Sequence, residues 1–371
     1  MASRRTKRAD GRYLVTLTVE NPDGSTRRVY FYGRTQAEAR AKAREAQERI
    51  ALGAPVRDAS RSFGDWLSEW RATFLAASDR APSTKALYGG LLERYARPQL
   101  DQVPLARITP ADLTRVLLAM ERAGRAASTR RNMYAALRAT FDDAVTNGLL
   151  GASPAVRVKR PRAVAVEAPS MTPGQAAQLL AAIAGKRYAS VVRLLLGTGL
   201  RRGEVLALRW SDLDLERGEL TVRGSLVRQG GGLVVSAPKT AHSRRTVSLS
   251  EPMMGLLRVS RHGQLEERLR AANYWQDSGH VFTTELGRPV DPRNLLRLVR
   301  DGATAIGLSG IGVHTLRHTY ATTALLHGVP LHVVSRNLGH SSVAITADTY
   351  GHLTDDASRS AAATVAAALN L

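Results

Sequence analysis

The sequence predicts a mainly α protein with small β-sheets, an α+β chain in three parts, on three observations. Apolar residues recur at spacings of three and four over residues 63–147 and through most of 171–371, the period of amphipathic helices. Apolar/polar alternation, the period of strands, is concentrated at 11–33 and 219–249. Between the blocks, 52–62 and 153–169 lack either period, and the second is rich in proline and basic residues, as linkers are. The parts drawn from this are 1–55, 60–155, a linker at 156–170, and 171–371. A chain of 371 residues with 44% hydrophobic content is long and apolar enough for packed cores.

Charge narrows the function classes. Lys and Arg number 53 against 32 Asp and Glu, a formal net charge of +21, which calls for a polyanionic partner. Nucleic acid comes first, an acidic membrane surface second, and a merely soluble basic protein is the minority reading. There is no cysteine, so disulfides, thiolate zinc sites and a cysteine nucleophile are excluded. The opening MASRRTKRAD lacks the apolar core of a secretory signal, and no apolar run approaches the roughly 20 residues of a membrane span. No membrane association and a cytoplasmic, nucleoid-associated location are expected.

Taken in order, residues 1–9 form a basic arm, and alternation on both sides of Pro22-Asp23-Gly24 predicts a β-hairpin. Tyr13, Val15 and Leu17 line one face, with Val29 and Phe31 on the second strand, and Thr35 caps a polar helix over 36–51. Arg12, Arg27, Arg28 and Arg34 suit a sheet laid on DNA, where a β-ribbon fits the major groove. The alternative is a small structural cap with a solvated face. Next, Phe63, Trp66, Leu67, Trp70 and Phe74 recur at helical spacing and read as core. A second helix runs from Pro82 to about Ala96. Thr109 caps a third with Pro110 at its first position, and Ser128–Asn147 gives a fourth that Gly148 stops. That fourth helix carries Arg130, Arg131 and Arg138, and the linker carries Lys159, Arg160 and Arg162, which can follow a DNA backbone.

The third part holds the chemistry. A helix starts at Met171-Thr172-Pro173, and Gly197-Thr198-Gly199 breaks the apolar helix that follows. Arg201 then stands at a helix N-terminus, an anion-binding position, with Glu204 three residues on to orient it; a surface ion pair is the bland alternative. Residues 219–249 read as a short three-stranded sheet with Lys239 at the turn between its second and third strands, a place where most lysines are simply solvated. Helices follow near 251–269 and 291–306. His314 and Arg317, three apart, share a helix face, and Arg317 offers a planar fork suited to phosphate. His340 can donate to an anion, and Tyr350 carries a phenol able to act as a nucleophile. No Asp/Glu/His cluster has metal-ligand spacing and no P-loop is present, so neither a metal nor another cofactor is expected.

TGLRRGE at 198–204, Lys239, HTLRHTYAT at 314–322, LGH at 338–340 and TADTYGH at 346–352 together resemble the tyrosine recombinases, and more closely phage and mobile-element integrases. The resemblance implies a mixed α/β catalytic domain over 171–371, a helical core-binding domain over 60–155 and an arm-type DNA-binding domain over 1–55. It implies that Tyr350 is the nucleophile forming a 3′-phosphotyrosine link, and that Arg201 and Arg317 grip the scissile phosphate with His314 and His340 hydrogen-bonding to it. Lys239 is then the general acid for the leaving 5′-oxygen, and Glu204 supports Arg201. Tyr320, which directly follows the His-Arg motif, is expected to pack inside. The implied partners are double-stranded attachment sites, three further copies in a tetramer, and an excisionase or DNA-bending accessory protein. The Ala-rich tail after Asp355 docks either on a neighbouring subunit or on its own domain. Two rivals remain at this stage: a type IB-like topoisomerase and a non-catalytic DNA-binding protein on the same fold.

Overall fold

Residues 6–7, 11, 13–20, 26–51, 61–147, 149–162, 169–229, 231–236, 244–351, 366 and 368–369 are described in the computed structural model. They fall into two units, Met1–Ala165 and Val166–Leu371.

The first unit opens with an antiparallel sheet of β1 (Thr6–Lys7), β2 (Tyr13–Glu20) and β3 (Thr26–Gly33) in that order. Its register pairs Leu17 with Val29 and Val15 with Phe31, which puts Val29 and Phe31 on the second strand as expected. Helix α1 (Gln36–Ala51) starts at Thr35, whose Oγ1 accepts from the Glu38 N–H at 3.1 Å, and among its described side chains Ala39, Ala43 and Ala46 are buried. The expected turn at 22–24 and most of the basic arm lie outside the described residues.

The helical body that follows is built on its aromatic stripe. Helix α2 (Phe63–Trp70), continued by a π-helical turn at Arg71–Leu75, buries Phe63, Trp66, Leu67 and Trp70 completely. Both indole N–H groups reach the same partner helix: Trp66 donates to the Thr140 carbonyl at 3.1 Å and Trp70 to the Asp143 carboxylate at 2.6 Å. Helix α3 (Pro82–Leu91) runs through a second π turn, Leu92–Ala96, into α4 (Arg97–Leu100). The helix thus continues past its expected end at Ala96, with Pro98 placed just after the register change that a proline ring needs. Helices α5 (Pro110–Arg122) and α6 (Ala127–Thr146) complete the body. It also takes in part of the expected linker: Pro154–Arg157 forms a 3₁₀ turn, and Ala155 and Val158 are buried in the helical core. Two apolar side chains separated by one turn suffice for this, too short a pattern for periodicity to show.

In the second unit, Thr172 and Gln175 form a capping box for α7 (Pro173–Ala182). Helix α8 (Ala189–Thr198) passes straight through Gly197, and Gly199 ends it in the left-handed region at φ +66°. Helix α9 (Arg202–Ala207) follows directly. The expected single sheet over 219–249 is two: β4 (Leu213–Asp214), β5 (Glu219–Val222) and β8 (Arg245–Ser248) form one, and β6 (Ser225–Gln229) pairs with β7 (Gly232–Ser236) in the other. The run ELTVRGSLVRQ breaks at Arg223-Gly224, where β5 turns to β8 and β6 turns to β7. Helices α10 (Glu251–Ala271) and α11 (Pro292–Ala305) lead to α12 (Val313–Leu326), α13 (Leu331–Leu338) and α14 (Val343–Tyr350). One apolar core joins α7 to α9, the sheets, α11 and the first turn of α12. A smaller cluster of Ala321, Val334, Leu338 and Tyr350 ties α12, α13 and α14 together. Among the described residues no helix is long and apolar enough to cross a membrane.

The capping box of Thr109 and Asp112, with the Thr109 N–H donating to the carboxylate at 2.8 Å, makes α5 a local test. Thr109→Ala is expected to cost about 1 kcal/mol, seen as lost hydrogen-exchange protection in the first turn of α5. Unchanged protection would mean tertiary packing alone sets that helix start.

Candidate active site

A helix C-terminus leaves its last carbonyls without intrahelical partners and carries the negative end of the helix dipole. At the end of α13 three arginines from three other elements take up those acceptors. Arg245, first residue of β8, donates Nε–H to the Asn337 carbonyl at 2.7 Å. Arg317 on α12 donates to the Leu338 carbonyl at 2.6 Å and to the Gly199 carbonyl at 2.8 Å. Arg201, N-cap of α9, donates to the Gly339 carbonyl at 2.9 Å. Gly339 has φ +64°, and a Cβ there would lie 2.6 Å from an Arg245 nitrogen, so both the helix stop and the guanidinium demand glycine.

One carboxylate organises the cations. Glu204 accepts from the Arg201 backbone N–H and from its guanidinium, each at 2.8 Å, and from Arg245 at 2.8 and 3.2 Å. Burial alone would raise the Glu204 pKa, but the hydrogen-bonded Arg245 and then Arg201 bring it from 4.5 down to about 2. The Glu204 and Arg245 side chains are 5% and 4% exposed, whereas Arg201 is 37% exposed. Arg245 is therefore structural ballast for Glu204, while Arg201 turns outward. A guanidinium has five N–H donors, so the two anchoring bonds each of Arg201 and Arg317 set the fork's direction without exhausting it.

The site carries more positive charge than it neutralises. Burial, then repulsion from Arg201, lowers the Arg317 pKa to about 9. His340 falls to about 4 through burial and the charges of Arg317 and Arg201, and His314 moves the same way through burial and the charges of Arg202 and Arg317. Both histidines are thus neutral near pH 7, able to donate one N–H each. His340 is oriented by a 2.8 Å bond between Nδ1 and the buried Thr346 hydroxyl, which leaves Nε2 for a ligand. Beside this end of α13 a cavity of about 430 Å³ is lined by Arg244, Arg245, His332, Arg336, His340 and Ser342 among others. Tyr350, at the last turn of α14, is 4% exposed; burial raises its pKa and the Arg317 charge opposes the rise. Its hydroxyl lies 2.6 Å from His318 Nδ1.

Arg201, Glu204, Arg317, His314, His340 and Tyr350 thus come from α9, α12, α14 and the loop after α13 to one electrostatically coupled site. Tyr320 is half-buried and its hydroxyl accepts from Asn337 Nδ2 at 3.0 Å, which commits it to packing. Lys239 lies outside the described residues, as do Arg12, the side chains of Arg27 and Arg28, and most of the tail after Asp355. In the first unit Arg130 is ion-paired with Glu121 at 2.5 Å, Arg131 is half-buried, and Lys159, Arg160 and Arg162 are exposed. Sequence reasoning missed Arg245 and His318. Arg245 stood in SRRTVSLS as one more strand-end arginine, and His318 directly follows Arg317, a contiguity that in a helix points two side chains 100° apart. A charged residue opening an otherwise alternating strand was the available signal for the first; for the second there was none. Among the described residues no His, Asp and Glu group is arranged to hold a metal ion.

Two outcomes follow for stability. Glu204→Gln is expected to cost roughly 3–5 kcal/mol in urea unfolding, because it strands the buried Arg245 charge; a loss under 1 kcal/mol would make the pair dispensable. Histidines harder to protonate in the folded state lose stability to the unfolded chain on acidification. For His340 the loss runs as pH falls from 6.5 towards about 4. Glu204 adds loss with the same sign, beginning as pH falls below 4.5 and extending to about 2. The thermal midpoint of the DNA-free protein should therefore drop between pH 7 and 5, less so in His340→Gln, and a rise would contradict the assignment.

Comparison with known proteins shows the family. Residues 169–357 match the phage integrase family and 63–161 the phage integrase central domain. A XerC-like tyrosine recombinase of Caldanaerobacter subterraneus subsp. tengcongensis is 31% identical, covering 92% of each chain. The integrase of Mycobacterium phage L5 is 28% identical over 74% of this chain and 72% of its own. Among solved structures, the Tn1549 transposon integrase in complex with transposon right end DNA aligns over 81% of this chain and 99% of its own, at 22% identity and a TM-score of 0.67. A lambda integrase dimer bound to a COC′ core site aligns over 93% of each, at 18% identity and a TM-score of 0.62. These relatives lend the topoisomerase reading no support. The chain belongs to the phage integrase family: it is a tyrosine recombinase of the integrase type, an enzyme of site-specific DNA recombination.

Proposed function

We propose that Tyr350 attacks a scissile DNA phosphate held by Arg201, Arg317, His314 and His340, cutting and rejoining attachment sites to integrate and excise a mobile element. The observation that carries this is the cation-rich end of α13, where two anchored guanidiniums are electrostatically coupled to two neutral histidines and, through Arg317, to one phenol. Phosphodiester cleavage needs in-line attack and neutralised nonbridging oxygens, and donors already held in place do this with little reorganisation. Tyr350 forms a 3′-phosphotyrosine link, so the bond energy is kept for rejoining. Lys239 protonates the leaving 5′-oxygen, the role that its place between β7 and β8 supports. Glu204 acts through Arg201.

The rest of the chain binds the duplex. Exposed Lys159, Arg160 and Arg162 follow the backbone between the helical core-binding part and the catalytic part, with Arg130 and Arg131 secondary. Arg12, Arg27 and Arg28 place the N-terminal sheet, as an arm-type domain over 1–55, on DNA. The lambda integrase solved as a tetramer bound to a Holliday junction, 18% identical with a TM-score of 0.61, supports a multimer on paired sites. The tail after Asp355 then docks on a neighbouring copy, an excisionase or DNA-bending protein sets direction, and the protein acts at the nucleoid.

The test is covalent capture. Incubated with a library of nicked duplexes of randomised sequence, the protein is expected to retain DNA through denaturation in detergent, and sequencing the captured strand gives the site. Tyr350→Phe should keep DNA binding and lose capture entirely; capture by that variant would remove Tyr350 from the role. Arg201→Ala should slow cleavage by about 10²–10³-fold with binding changed less than tenfold. Equal losses in both would make Arg201 an affinity contact only.

A further inference from the structure

We propose that His318 is the proton acceptor for Tyr350: its Nδ1, 2.6 Å from the phenol oxygen, takes the hydroxyl proton as that oxygen attacks phosphorus and returns it when the strands rejoin. The inference rests on Tyr350 being the nucleophile and adds what that reading lacks. A buried phenol with a raised pKa is a poor nucleophile unless its proton has somewhere to go.

The geometry favours His318 over its neighbours. Tyr350 clusters with Ala321, Val334 and Leu338 while its hydroxyl meets His318, and the two rings lie with centroids 5.9 Å apart, tilted by 52°. The alternative histidines are differently engaged: His340 Nδ1 bonds Thr346, and His314 lies one helical turn away beside Arg317 and Arg201. The charged and titratable groups facing His318 are His314 and Arg317 from α12, His340 from the loop after α13, and Tyr350 from α14. Burial and the charges of His314 and Arg317 hold the imidazole neutral near pH 7, which leaves a lone pair for the phenol O–H.

The step balances. The Tyr350 oxygen–phosphorus bond forms as its proton passes to His318 Nδ1, and the phosphorus–O5′ bond breaks with a proton supplied to O5′ by Lys239. In rejoining, the incoming 5′-hydroxyl gives its proton to Lys239, and the imidazolium of His318 protonates the departing phenolate. An imidazole that is neutral before attack can take the phenol proton, and the imidazolium so formed can return it.

The first test needs no DNA. In ¹⁵N-histidine spectra of the intact protein, His318 Nδ1 is expected to be the unprotonated nitrogen and to shift in Tyr350→Phe; a protonated Nδ1 would overturn the proposal, since it would then donate to the phenol. The second uses a nicked duplex recovered by capture with the wild-type protein. His318→Asn keeps a polar atom where Nδ1 stood but cannot accept the proton. Single-turnover cleavage is expected to fall by about 10²–10⁴-fold, with a rate that climbs into the alkaline range and DNA binding retained. A 5′-bridging phosphorothiolate, which needs no general acid, should leave that defect in place. A wild-type rate and pH profile in His318→Asn, or rescue by the phosphorothiolate, would overturn it. His318→Gln, whose amide reaches further than Nδ1, guards against a folding defect peculiar to one variant and is expected to show the same loss. Failure of the wild-type protein to capture any duplex defeats the underlying reading instead, so the two failures are distinct.

Discussion

Everything in the catalytic half depends on one arrangement: the carbonyl end of α13 held against three arginines that do not repel one another apart because Glu204 sits among them. Asn337, Leu338 and Gly339 offer successive acceptors, and Arg245, Arg317 and Arg201 arrive from β8, α12 and α9 to fill them. A short helix terminus thereby does for a cluster of cations what a second carboxylate would do, without cancelling their charge. Packing follows from the same contact. Gly199, which ends α8, both accepts from Arg317 and leaves room for the Tyr320 ring, 2.4 Å from where its Cβ would be.

This arrangement explains why the site awaits an anion. Arg317 titrates near 9, His340 near 4, and His314 and His318 are pushed down with it, all by burial together with neighbouring positive charge. Burial first, and the neighbouring positive charge after it, favour the uncharged form of each group. In the proposed reaction a phosphate diester brings negative charge to this site and meets neutral histidines able to donate rather than a fully charged cage. The phenol has the opposite need, a proton acceptor, and finds it on the same helix one residue past Arg317.

Much of this was legible in the sequence, and the limits have physical causes. Capping residues at Thr35, Thr109 and Thr172 marked helix starts because local hydrogen bonds decide them. The aromatic stripe of α2 read as core because burial follows period. Arg201, Glu204, His314, Arg317, His340 and Tyr350 were legible as a set through separated motifs, not through any one residue. What stayed hidden is non-local: that 219–249 divides between two sheets, that Val158 folds back into the helical core, and that Arg245 shares Glu204 with Arg201 from 41 residues away. Strand pairing and buried ion pairs are chosen by tertiary packing, which short spacing patterns do not encode.

The most direct check on the central claim is the identity of the protein atom that receives DNA. After capture on a nicked duplex, nuclease and protease digestion followed by mass spectrometry would locate the modified residue. The account predicts a nucleotide joined through its 3′-phosphate to Tyr350, in the peptide that closes α14. Attachment at Tyr320, at any other side chain, or through a 5′-phosphate would contradict it.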